Sequence, residues 1–135
     1  MDQLLVALDV DTAARALELS DELRDVAGGF KIGSRLFTAE GPNIVRHMTD
    51  RGDRVFLDLK YHDIPSVVAD AVRAASDLGV WMVTVHAAGG ADMLVAAKKA
   101  AVESSTGLLV VAVTVLTSFN ELGLQQIGVT TGISQ

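Results

Sequence analysis

Residues 55–65 read VFLDLKYHDIP. The segment opens as the apolar run of a buried strand and then places Asp58, Lys60, His62 and Asp63 within six residues. Burying a charge is costly unless it is paired and hydrogen-bonded. A strand entering a core with carboxylates and a lysine at its end therefore points to a site. Residues two apart in a strand face the same side, so Asp58 and Lys60 are predicted to project together. Asp63 falls three residues later, past the predicted strand end, and need not fold back onto the same site.

Four further apolar runs flank this one: LLVALDV from Leu4, GFKIG from Gly29, WMVTVHA from Trp81 and GLLVVAVTVLT from Gly107. With RVFLDLK from Arg54, successive starts lie 25, 25, 27 and 26 residues apart. The stretches between them carry helical spacing. Ala16, Leu19, Leu23 and Val26 form one apolar face, Val68, Ala71, Val72 and Ala75 a second, and Met93, Ala96, Ala97 and Ala100 a third. Asp11 or Thr12 suits the first N-cap, Gly41–Pro42 the start of the second helix, and Gly28, Gly52 and Gly79 the helix ends. The period is that of a βα unit, and near-continuously apolar strands suit a parallel sheet covered on both faces.

An open doubly wound sheet and a (β/α)8 barrel both fit this pattern. Each run carries its odd polar residue near its C-terminal end: Asp9, Lys31, Asp58 with Lys60, His86 and Thr117. Barrel enzymes build their sites at that face from several strand ends. An open sheet gathers ligand contacts at one switch point, with a glycine-rich first loop, whereas here that loop is LDVDTAARA. The expected fold is α/β, a (β/α)8 TIM barrel. A full barrel takes about 250 residues, so residues 1–135 are expected to supply about the first five strands and four helices of a single, incomplete barrel domain.

Half of the residues are hydrophobic and 4% aromatic, so a core of Val, Leu, Ile and Ala is available. The net charge of -6 and the lack of a basic stripe speak against nucleic-acid binding. The absence of cysteine removes disulfides and thiolate metal sites. MDQLLVALDV does not read as a signal peptide, and GLLVVAVTVL is about half the length of a membrane span. The expectation is a cytoplasmic protein without nucleic-acid or membrane partners.

Lys31, ending the neighbouring strand, can reach the mouth occupied by Asp58 and Lys60. With Asp63 the set is formally neutral. Flanking carboxylates favour the ammonium form of Lys60, which makes it a proton donor rather than a Schiff-base nucleophile. A carboxylate pressed against a substrate carboxylate repels it until that charge leaves as carbon dioxide, a form of ground-state destabilisation. A nearby ammonium stabilises the carbanion left behind and protonates it. The group suits metal-free decarboxylation.

FLDLKYHDIP resembles the Asp-x-Lys-x-x-Asp-Ile-Pro signature of the orotidine 5′-monophosphate decarboxylase family. LLVALDV, FKIG, TVHAAGG and VAVTVLTS resemble its first, second, fourth and fifth strands, in order and over essentially the whole chain. The resemblance implies a cofactor-free, metal-free homodimeric (β/α)8 barrel acting on a nucleotide. It implies that Lys60 donates the proton to C6 of the pyrimidine and that Asp58 stands beside the substrate carboxylate. Lys31 would bond within the charge network and to the ribose, and Asp63 would complete the partner subunit's site. Asp9 would contact the ribose and Thr117 the surroundings of the pyrimidine, while Ile64 and Pro65 match the family's following turn, with Ile64 among the substrate-binding residues.

Two features depart from the family. Ser66 and Val67 stand where it usually has Asn-Thr, which removes a hydroxyl that reaches the neighbouring site. Its phosphate-gripping arginine and lid belong to the last three βα units, beyond the five strands read here. Magnesium-dependent sugar-phosphate decarboxylases and aldolases of the same superfamily are the alternative enzyme class, and a non-catalytic half-barrel is the alternative outside enzymes. The former place an acidic residue after the second strand, where this chain has FKIGSRLF. His86 reads as a structural hydrogen-bonding residue, His47 and His62 as solvated, and Trp81 as packing.

Overall fold

The computed structural model describes residues 3–104 and 106–130. Five strands, β1 (Leu5–Ala7), β2 (Gly29–Gly33), β3 (Val55–Tyr61), β4 (Met82–His86) and β5 (Leu109–Val113), form one sheet. Its order is β1-β2-β3-β4-β5, and every neighbouring pair is parallel. Sequential order with all-parallel pairing is the winding of a barrel wall; a doubly wound sheet reverses its order at a switch point. The chain forms a partial (β/α) barrel.

Among the described residues six α-helices accompany the strands: α1 (Ala13–Leu23), α2 (Ser34–Glu40), α3 (Pro42–Asp50), α4 (Pro65–Asp77), α5 (Ala91–Glu103) and α6 (Glu121–Gln126). The expectation of four helices is corrected by two. One of the extra helices arises because the second crossover is broken at Gly41, whose φ of 68° serves as the C-cap of α2 and the N-cap of α3. Pro42 then starts α3, where its missing N–H costs nothing. The other, α6, follows β5 and is capped by Asn120, whose side chain accepts from the Gly123 N–H. Thr12, not Asp11, caps α1 by accepting from the Arg15 N–H at 3.3 Å. Glu40 Oε1 reaches across from α2 to accept from the Ala13 N–H at 2.9 Å, which satisfies another donor of that first turn.

The helix ends follow the glycines in two cases of three. Gly52 and Gly79 take φ of 84° and 77° just beyond α3 and α4. Gly28 does not end α1: the helix stops at Leu23, and the Gly28 N–H instead bonds to the Leu4 carbonyl at the start of β2. Val26 accordingly lies in the turn after α1 and is exposed, so it drops out of the predicted apolar face.

The core lies between the sheet and its helices. Phe30 and Ile32 of β2, Val55 and Leu57 of β3, and Val83 and Val85 of β4 pack with Leu36, Val45, Met48, Val68, Val72, Met93 and Ala97 from the helices. The middle strands are buried, whereas β1 and β5 are partly open, with Leu109 and Val111 exposed. At the N-terminal end of the sheet the Arg54 guanidinium lies 4.0 Å above the Trp81 ring. That contact gives Trp81 a packing role far from the other end, where the polar residues gather.

Candidate active site

The C-terminal end of β3 is not a regular strand. Leu57 pairs with Val83, and the next paired residue, Tyr61, faces Val85. Three residues of β3, Asp58, Leu59 and Lys60, thus stand opposite Thr84 alone. Lys60 absorbs the excess with φ of 51°, the one positive φ outside glycine among the described residues. A left-handed backbone on such a side chain costs on the order of 1–3 kcal/mol, and strain of this kind concentrates at functional sites.

Asp58 and Lys60 meet at this bulge. Lys60 Nζ donates to Asp58 Oδ1 at 2.9 Å. Lys31 Nζ, from β2, stands 3.6 Å from Asp58 Oδ2 and 3.5 Å from Asp9 Oδ1. Thr84 Oγ1 donates to Asp58 Oδ1 at 2.9 Å and accepts from the Lys60 backbone N–H at 2.8 Å. Burial by itself pushes the Asp58 carboxyl up. The hydrogen bonds from Lys60 and Thr84, with the charges of Lys60 and Lys31, outweigh burial and hold it below its ordinary value. Asp58 is therefore a carboxylate at neutral pH, nearly enclosed and with both neighbouring ammonium groups turned to it.

A pocket of about 460 Å³ opens above this network, lined by Lys31, Asp58 and Lys60 on one side and by Val113, Leu116, Thr117 and Ser118 on the other. The structure thus gathers Lys31, Asp58, Lys60 and Thr117 around one pocket, with Asp9 joined through Lys31 at its exposed edge. Asp63 and Ile64 lie elsewhere. They line a separate, shallow hollow with His62, Pro65, Ala88 and Gly89. Asp63 Oδ1 accepts from the Ile64 N–H at 2.7 Å just ahead of α4, and the Ile64 side chain is exposed.

His86 Nδ1 accepts from the Ala88 N–H at 3.2 Å and caps the 3₁₀ turn Ala87–Gly89. His62, expected as a solvated residue, is exposed but stacks on His86 with ring centroids 5.1 Å apart. Two residues escaped the sequence reading. Thr84 is 3% exposed in the middle of β4, and the signal was present, since a hydroxyl inside a strand buried on both faces needs a partner. Arg35 donates from Nε to Asp11 Oδ1 at 2.7 Å and from Nη1 to the Asp9 carbonyl at 3.3 Å, so it ties the loop carrying Asp9 to the start of α2. Among the described residues no group of three or more His, Asp or Glu is placed to hold a metal ion, and no helix is long and apolar enough to cross a membrane.

The sequence model of the orotidine 5′-phosphate decarboxylase / HUMPS family matches residues 2–135. The chain belongs to that family. It is 51% identical over 128 residues to the orotidine 5′-phosphate decarboxylase of Saccharophagus degradans, covering 95% of this chain and 54% of that protein. The enzyme of the same name from Halorhodospira halophila is 52% identical over 126 residues, covering 93% and 53%. Among solved structures, orotidine 5′-phosphate decarboxylase from Lactobacillus acidophilus superposes with a TM-score of 0.81 at 34% identity, over 92% of this chain and 58% of that one. An uncharacterized conserved protein from Geobacillus kaustophilus superposes with a TM-score of 0.86 at 34% identity, over 95% and 62%. The chain spans about half the length of the curated decarboxylases it matches. Its five strands are thus a part of the family's barrel wall, and the Asp58–Lys60 bulge sits at the wall's C-terminal rim.

Proposed function

We propose that the complete protein is an orotidine 5′-monophosphate decarboxylase that converts its substrate to uridine 5′-monophosphate without a metal or cofactor. The observation that carries this reading is the Asp58 carboxylate held between the Lys60 and Lys31 ammonium groups beneath an open pocket. The names of the family's curated members support it.

In this reading the substrate carboxylate enters beside Asp58. The bond from C6 to the carboxylate carbon breaks, carbon dioxide leaves, and the electron pair stays on C6. The Lys60 ammonium faces the developing carbanion, stabilises it, and passes a proton from Nζ to C6. Lys31 balances Asp58 and Asp9 and turns toward the ribose, with Asp9 beside it and Thr117 across the pocket near the pyrimidine. The ammonium of Lys31 between two carboxylates supports the metal-free reading over the magnesium-dependent one, because it repels a cation from the site those carboxylates would offer.

Asp63 lies outside this pocket, in the hollow it lines with Ile64. The proposal assigns Asp63 to the site of a partner subunit in a homodimer and keeps Ile64 as a substrate-binding residue of the turn after β3. The test is turnover of orotidine 5′-monophosphate by the complete protein, followed by loss of substrate absorbance. Lys60→Ala is expected to lose at least about 10²–10⁴-fold, and Asp63→Ala to be nearly inactive as well. Mixing the two variants should regenerate one intact site per heterodimer, recovering about a quarter of wild-type activity in a two-fold symmetric dimer. Retention of more than about a tenth of activity in Lys60→Ala would sink its role as the proton donor. No recovery despite demonstrated subunit exchange would place Asp63 in the same chain's site.

A further inference from the structure

A bulge of this size leaves backbone groups without their ladder partners. Opposite Asp58, Leu59 and Lys60 the neighbouring strand offers only Thr84. The Lys60 N–H, turned out of register by its left-handed φ, bonds to a side chain: Thr84 Oγ1 accepts it at 2.8 Å. That bond has a chemical consequence. With the hydroxyl oxygen receiving the amide proton, the hydroxyl's own proton goes to Asp58 Oδ1, 2.9 Å away. The same carboxylate oxygen receives Lys60 Nζ at 2.9 Å. Backbone amide, hydroxyl, carboxylate and ammonium thereby close a ring that begins and ends on Lys60.

We propose that Thr84 is a positioning residue for this site, its hydroxyl replacing the missing ladder bond to hold the Lys60 turn while orienting Asp58 toward the Lys60 ammonium. The inference rests on the decarboxylase reading only for its effect on turnover. Val has nearly the shape and the strand preference of Thr, but it cannot close the ring. Ser keeps the hydroxyl and gives up only a methyl.

Two measurements on the complete protein test it. The first is the titration midpoint of the Asp58 side-chain carboxyl, read by ¹³C resonance and assigned by its disappearance in Asp58→Asn. The charged groups facing that carboxyl, Lys60, Lys31 and, through Lys31, Asp9, are unchanged across the series. Thr84→Val is expected to raise the midpoint, because one hydrogen bond to the ionised form is lost, and Thr84→Ser to leave it at the wild-type value. The second is steady-state turnover of orotidine 5′-monophosphate. Thr84→Val is expected to lower kcat by about 10- to 100-fold, the scale of a misplaced reacting group, and Thr84→Ser to restore it. If Thr84→Val does not fold, Thr84→Ala, which has room for its neighbours, takes its place in both measurements. An unmoved midpoint, an undiminished kcat, or an equal loss in Thr84→Ser would overturn the inference. If the wild-type protein does not turn over this substrate, the decarboxylase reading fails by itself, and the titration alone decides whether Thr84 holds Asp58.

Discussion

Asp58 receives two hydrogen bonds on one carboxylate oxygen and faces Lys31 across the other, while most of its surface is shielded from water. Shielding favours the neutral acid, and the three partners favour the anion and prevail. A carboxyl whose folded value is depressed below its unfolded value stabilises the fold fully above the unfolded value. It loses that contribution as pH falls through the folded one. The unfolded value is about 3.9, so the effect belongs to acid conditions and not to the neutral range. The unfolding free energy of the wild type minus that of Asp58→Asn is expected to be flat above about pH 5 and to fall steadily below about pH 4. Denaturant titrations at half-unit steps measure it. A difference independent of pH down to about 3 would mean that Asp58 is not held as an anion by its neighbours.

The residues of the site differ in how openly they declare themselves. Lys31, Asp58 and Lys60 are charged side chains at the ends of apolar runs, and burial cost alone marks them. Thr84 is hidden because threonine is an ordinary strand residue; only its hydroxyl, enclosed in a strand covered on both faces, distinguishes it. The left-handed turn at Lys60 has no local signature, since neither glycine nor asparagine stands there. It is imposed by the pairing of Tyr61 with Val85, a contact between strands that no single-strand pattern contains.

Elements tell a similar story with a different cause. Strand starts 25–27 residues apart gave the βα repeat, because parallel strands buried on both faces are apolar throughout. The sequential sheet order followed from the polar residues at the strand ends, which favoured a barrel over a doubly wound sheet. The helix count went wrong where elements are short. Ser34–Glu40 is two turns, and Glu121–Gln126 less, too little for a 3.6-residue period to rise above its surroundings. Gly29 shows how tightly the strands are fitted. A Cβ there would stand 2.7 Å from the Arg54 carbonyl oxygen, the acceptor of the Phe30 N–H at 2.9 Å. The obstacle is backbone and cannot rotate away. Gly29→Ala is therefore expected to push β2 from β3 and to destabilise by about 1–3 kcal/mol, the usual cost of overpacking. Chemical denaturation measures this. Since Lys31 is two residues away, turnover in the complete protein should fall with it. A variant as stable as the wild type would mean that the pairing yields without cost.

At the scale of the molecule, the charge network and the strand edges impose different demands. The network is local: its groups come from β2, β3, β4 and the loop after β1, all among the described residues. The edges are not. Val111 and Leu109 of β5, with Val115, Leu122 and Ile127 beyond it and Leu4 at the other side, expose apolar surface, and among the described residues β1 and β5 each have one unpaired side. Unpaired strand edges beside apolar patches promote association. The family's barrel is about twice as long as the 135-residue chain, and barrel enzymes commonly bind phosphate after their seventh and eighth strands. Binding energy from a remote phosphate holds a reacting group in its oriented state, so its loss lowers turnover as well as affinity. The 135-residue chain by itself is thus expected to keep the Asp58–Lys60–Lys31 cluster, to associate through its edges, and to decarboxylate far more slowly than a full-length relative. Light scattering at micromolar concentration reads the association, and loss of substrate absorbance reads the rate. A soluble monomer as active as a full-length relative would show that five strands suffice, and that neither the exposed edges nor a distant phosphate grip matters to the chemistry of the cluster.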